Sequence, residues 1–113
     1  MVVMSDTGLP RPHRLYVQQS TPVGKDANGF NLPPDVELVF WCACRGQTYG
    51  HGGERKGANG ESYYYRHVVF VDLGTDFIKS GTRIEVRYND GRVRFSGEAK
   101  EFSIESQHIR IWV

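Results

Sequence analysis

The chain has 113 residues, 39% of them hydrophobic and 12% aromatic, with a formal net charge of +1. This composition excludes an intrinsically disordered chain, and the length suits one domain rather than several. The near-neutral charge gives no global attraction to nucleic acid or to an acidic membrane.

Residues 1–12 read as a flexible arm, rich in turn formers such as Gly8, Pro10 and Pro12; residues 13–113 form the domain. Residues 14–19 alternate Leu15 and Val17 with Arg14, Tyr16 and Gln18, the period of a half-buried strand. A connector follows over 20–35, where Pro22, Asn28-Gly29 and Pro33-Pro34 forbid helix and favour turns. Residues 36–45 form the most apolar strand. Val39, Trp41 and Ala43 lie on one face and Phe40, Cys42 and Cys44 on the other, which predicts a central strand covered on both sides.

Residues 46–61 hold six glycines (Gly46, Gly50, Gly52, Gly53, Gly57 and Gly60) and almost no aliphatic side chains. This predicts one long glycine-rich loop of the kind that is usually functional. Residues 62–73 return to a β-branched and aromatic strand that opens Ser62-Tyr63-Tyr64-Tyr65. After a short turn, residues 82–88 alternate cleanly, with Ile84, Val86 and Tyr88 inward and Arg83, Glu85 and Arg87 outward. Asn89-Asp90-Gly91 is a hairpin turn. Residues 92–97 place Val93 and Phe95 inward, and residues 98–105 place Phe102 and Ile104 inward with Ala99 on the opposite face. Residues 108–113 close the chain with Ile109, Ile111 and Val113 on one face. Six or seven strands at regular turn spacing, with no helix, predict an all-β fold, a small antiparallel β-barrel carrying the long loop.

No set of residues is arranged for catalysis, and no cofactor is expected. Cys42 and Cys44 are the only cysteines. At i and i+2 on a strand they are too far apart for relaxed disulfide geometry, so a reducing compartment is the simpler reading. As soft metal ligands they would need His51 and His67 to complete a tetrahedral set, and no second cysteine pair exists. The simpler reading is two small apolar side chains on a buried face, so no metal site is expected. Gly50-His51-Gly52-Gly53 lacks the following helix that a phosphate loop requires. Two surfaces are left as candidates for interaction. The loop offers Tyr49, His51, Arg55, Lys56 and Asn59, ordering on contact with a partner. The hairpin face offers Arg83, Arg87, Arg92 and Arg94, interleaved with Glu85, Asp90 and Glu98. A small nucleic-acid-binding barrel of the oligonucleotide-binding type, stacking bases on Tyr63 to Tyr65, is the alternative. No apolar run approaches the roughly 20 residues that span a bilayer, and residues 1–12 lack the apolar core of a secretory signal. A soluble protein made in the cytoplasm is expected.

The second half carries an order of motifs with a likeness elsewhere. A glycine-rich segment leads to the aromatic strand, then to Ile78-Lys79-Ser80-Gly81-Thr82-Arg83-Ile84-Glu85-Val86, and the chain ends Ile109-Arg110-Ile111-Trp112-Val113. With Phe40-Trp41-Cys42-Ala43-Cys44-Arg45 upstream, this resembles the head–tail connector proteins of tailed bacteriophages and prophages, the head-closure or stopper family. Thr82 stands where that pattern has Asp. The resemblance implies a small β-barrel, made in the bacterial cytoplasm and assembled as a ring at the head–tail interface of the virion. Its partners would be further copies of itself, the portal–adaptor complex and tail proteins, with packaged DNA close by. The segment matching the family's channel-facing loop is 46–61.

Overall fold

The computed structural model describes residues 11–21 and 23–113. Within them seven antiparallel strands and no helix follow in chain order: β1 (His13–Thr21), β2 (Asp35–Lys56), β3 (Ser62–Val71), β4 (Arg83–Tyr88), β5 (Val93–Glu98), β6 (Glu101–Ile104) and β7 (Ile109–Trp112). The all-β antiparallel class read from the sequence is the class observed. Neighbouring strands run β5-β4-β1-β2-β3-β7-β6. β5 and β6 are therefore the two edges, and the hydrogen-bonded sheet is open where a closed barrel was expected. Residues 1–10 of the expected arm and Pro22 lie outside the described residues. Arg11 pairs with Asp72 at 3.1 Å.

β2 is the spine. Its N-terminal part pairs with β1 from Asp35 to Cys44, and its C-terminal part pairs with β3 from Arg45 to Lys56. The sheet thus divides into two halves that share β2 and fold over one core. β1, β4 and β5 contribute Leu15, Val17, Ile84, Val86 and Phe95; β3 and β7 contribute Val69, Val71, Ile109 and Ile111. Leu15, Ile84 and Ile111 are completely buried, and each such side chain stabilises the fold by roughly 1.5–3 kcal/mol.

Bulges decide which side chains reach this core. Leu15 stands opposite Cys42 but Tyr16 stands opposite Phe40, so Trp41 is an extra residue without a partner on β1. One extra residue reverses the facing of everything before it. Cys42 and Cys44 turn toward the core, while Phe40, expected on their face, points outward edge-on against Tyr16 at 5.7 Å. The expected cover on both faces of this strand is absent: Val36, Leu38 and Phe40 are exposed. A second bulge follows Val86, leaving Arg94 as the extra residue in β5. Val93, expected inward, is exposed, and Phe95 is buried. The expected continuous strand over 98–105 is broken at Ala99-Lys100. Ala99 N–H donates to Thr82 O and Lys100 N–H to Trp112 O, so the chain passes from one sheet edge to the other there. Ala99, expected on the opposite face, is buried, and Phe102 packs on the core as expected. Ile104, expected inward, lies on the same face as Phe102, opposite Ile109, but is 72% exposed on the edge strand.

The largest correction concerns residues 46–61. They are not a loop. Residues 46–56 continue β2, and only 57–61 form the turn, closed by Gly57 N–H to Glu61 O (2.8 Å) and Gly60 N–H to Gly57 O (2.9 Å). The ladder runs from Arg45–Phe70 to Thr48–His67, then resumes at Gly53–Tyr65, so residues 49–52 bulge out against Arg66 alone. The glycines permit close approach. An ideal Cβ on Gly53 would lie 2.6 Å from the Tyr65 hydroxyl oxygen, and Gly52 holds φ +67°, a backbone that side chains rarely adopt.

Candidate interaction surfaces

Three surfaces combine exposure with chemistry: the tip of the β2–β3 hairpin, the edge of β2 near Gly46, and the outer face of the β1–β2 arm.

At the tip, Glu101 on β6 holds the hairpin. Its carboxylate accepts from Arg55 Nε (3.0 Å), Tyr63 Oη (2.7 Å) and the Ala58 backbone N–H (3.1 Å). Burial alone would raise the Glu101 pKa, but these donors outweigh it and hold the carboxyl below its ordinary value. Tyr63 moves the other way, raised by burial and by the carboxylate it faces. Arg55 also lies over the Trp112 ring at 4.4 Å, and Tyr49 meets Tyr65 edge-on at 6.0 Å. Of the residues expected to interact here, Arg55 is therefore committed to an internal clamp. His51, Lys56 and Asn59 are exposed around the tip, and Tyr49 is partly exposed.

The second surface arises where β2 leaves β1. The ladder between them ends at His13–Cys44, which frees the backbone of Gly46 on that side. Two side chains replace the lost strand. Gly46 N–H donates to His13 Nδ1 (3.0 Å), and Gly46 O accepts from Arg94 Nε (3.0 Å). His13 must then be neutral, with its proton on Nε2. Burial first, and the Arg94 and Arg45 charges next, lower its pKa and favour that state. His67 is lowered in the same way, by burial and then by Arg66 and Arg94; it stacks on Phe95 with centroids 4.0 Å apart and shares a 3.0 Å hydrogen bond with Thr48 Oγ1.

The four hairpin arginines do not form one face. Arg83 reaches Ser96, Arg87 is paired with Glu85 and lies over Tyr16 at 4.1 Å, and Arg92 pairs with Asp90 in the turn. The bulge turns Arg94 to Gly46 and to Tyr88 Oη (2.9 Å), where it shares the Tyr88 ring with Arg92. Of the three adjacent tyrosines, only Tyr64 is largely exposed, at 74%. Tyr63 is taken by Glu101, and Tyr65 packs on Trp112 at 4.7 Å. Both cysteines are free thiols; burial raises Cys42 to about 11 and Cys44 higher still, far from a reactive thiolate. Among the described residues no three metal-ligating side chains come together.

The third surface was missed from the sequence. Val36, Leu38 and Phe40 line one face of the outer part of β2, beside Tyr16 on β1. Phe30 (69% exposed) and Leu32 continue the apolar character toward the tip of the arm, where Asp26 Oδ1 accepts from the Asn28 and Phe30 N–H groups to shape the turn. The available signal was a strand apolar on both faces beside a connector too polar to cover it.

Comparison with protein-family models, with characterised proteins and with solved structures finds no match for this chain.

Proposed function

We propose that this protein is a non-enzymatic assembly component whose copies join through the β1–β2 arm, acting as a head–tail connector of the head-closure kind. The observation that carries the reading is the uncovered apolar stripe of Val36, Leu38 and Phe40, with Phe30 and Leu32 also exposed in the adjoining connector. A contiguous exposed apolar surface marks an interaction site more often than it marks an ordinary monomer surface.

The occupant is a second copy of the chain. The same molecule carries another uncovered apolar patch at its open β6 edge, where Ile104 and Phe77 are exposed and Phe77 meets Phe102 edge-on at 5.3 Å. An arm on one copy and an edge on the next make a heterologous contact, and such contacts generate rings when the rotation closes. The open edge also offers unpaired backbone groups to an added strand. The connector assignment rests in addition on the sequence likeness, and it makes the portal–adaptor complex and tail proteins the neighbours of the ring.

Sedimentation over a rising concentration series tests the arm. The chain is expected to associate, and the double substitution Leu38→Ser with Phe40→Ser is expected to abolish association while leaving the circular dichroism unchanged. A monomer at every concentration, or association indifferent to these substitutions, overturns the arm as the contact. The connector role is sunk if a phage or prophage deleted for the coding gene still yields filled, tailed, infectious particles.

A further inference from the structure

The freed edge of β2 borders a cleft of about 430 Å³ whose lining includes His13, Arg45, Gln47, Thr48, Tyr49 and Arg94. No Asp or Glu lines it. Hydrogen bonds already made on its walls use up acceptors and leave donors. His13 Nδ1 accepts from Gly46, so the remaining ring nitrogen carries the proton. Tyr49 Oη donates to Gln47 Oε1 (3.4 Å), which leaves the Gln47 amide NH₂. Arg94 spends Nε on Gly46 O and one Nη on Tyr88 Oη, which leaves its other Nη. The Arg45 side chain makes no hydrogen bond and no ion pair among the described residues, and its buried Nε has no partner. The chain's ion pairs engage other arginines, Arg55, Arg87, Arg92 and Arg110 among them.

We propose that this cleft is a binding site for an oxyanion of the phosphate class, held between the Arg45 and Arg94 guanidinium groups with His13 Nε2–H and the Gln47 amide as further donors. Guanidinium groups present paired N–H donors that match the oxygens of a phosphate. A cleft with donors and no carboxylate accepts such a group without a competing negative charge. Arg45, Arg94 and His13 line the same cleft. The site is separate from the arm stripe, so loss of one function leaves the other measurable.

The test is an NMR titration of the full chain with potassium phosphate at fixed pH, against potassium chloride at equal ionic strength. The His13 ring and Gln47 side-chain amide resonances are expected to move saturably with phosphate and not with chloride. Arg45→Gln, which removes no hydrogen bond among the described residues, is expected to weaken binding roughly tenfold or more, the loss for one charged hydrogen bond. Movement no greater than in chloride overturns the site, and so does phosphate binding undiminished in Arg45→Gln. A short oligothymidylate in the same titration distinguishes the source of the phosphate. Tighter binding that still depends on Arg45 assigns a polymer backbone; no gain over inorganic phosphate assigns a free phosphate or monoester.

Discussion

Gly46 separates the strand from the loop by the sign of one substitution. Had residues 46–61 been a flexible loop, Gly46→Ala would stabilise the protein by about 0.4–1 kcal/mol, because alanine restricts the unfolded chain more than glycine does. In the strand the new methyl has no room. An ideal Cβ there would lie 2.8 Å from Phe95 Cε2, 2.9 Å from Phe95 Cζ and 3.0 Å from Val86 Cγ1, all core atoms. Overpacking of this kind costs about 1–3 kcal/mol. A shift of β2 to relieve it would also weaken the bonds of Gly46 to His13 and Arg94, each worth about 1 kcal/mol. The expected loss is therefore about 2–4 kcal/mol. At about 4 °C per kcal/mol for a chain of this length, the midpoint falls by about 8–16 °C. Urea unfolding and a thermal scan of the two proteins measure it. Gly50→Ala is the control, since a Cβ there meets nothing within 4 Å and the change should stay within about 0.5 kcal/mol. A neutral or stabilised Gly46→Ala would refute the packing of β2 against Phe95 and Val86.

Two further outcomes follow from the same contacts. His13 and His67 both have folded pKa values below the ordinary 6.5. The unfolded chain therefore binds more protons there than the folded one, so their contribution is complete above about pH 6.5 and is lost as pH falls through the lowered values. Urea midpoints measured from pH 7.5 down to pH 5 should decline, and a rise on acidification would contradict the neutral His13 bonded to Gly46. Glu101→Gln keeps the shape of the clamp but removes its charge, at a cost of about 1.5–3 kcal/mol. Hydrogen exchange at the Ala58 amide should quicken while the Val69 amide keeps its protection, and unchanged exchange at Ala58 would sink the clamp.

Regular alternation was legible where nothing interrupted it. Ile84 and Val86 are buried as their spacing indicates, and the Asn89-Asp90-Gly91 turn forms, with Tyr88 N–H on Arg92 O at 2.8 Å. Facing was lost wherever a bulge intervened. Phe40 and Val93 each stand one bulge away from a correctly placed neighbour. A period of two carries no mark of an inserted residue, because the bulge is set by the partner strand and not by the residues inside it. The apolar stripe was hidden because a strand apolar on both faces reads as one covered on both, whereas here the outer face of Val36, Leu38 and Phe40 is left exposed.

The glycine segment failed differently, and it shows what a better reading would use. Glycine count alone cannot distinguish a loop from a strand that another group must approach closely. The discriminating residues lay downstream, in Tyr63-Tyr64-Tyr65. Large rings directly across from glycines fill the space that missing side chains leave. Tyr65 stands opposite Gly53, and the Tyr63 ring lies 3.4 Å from where a Cβ of Gly57 would be. A glycine-rich run followed, after a short turn, by a tyrosine-rich run of similar length is therefore a hairpin signal. In this chain it also locates the chemistry. The bulge at 49–52 and the departure of β1 after Cys44 leave β2 irregular between its two ladders. That stretch is where backbone groups need side-chain partners, and where Arg45 is left without one. The cleft is a consequence of how one strand passes from the first half of the sheet to the second.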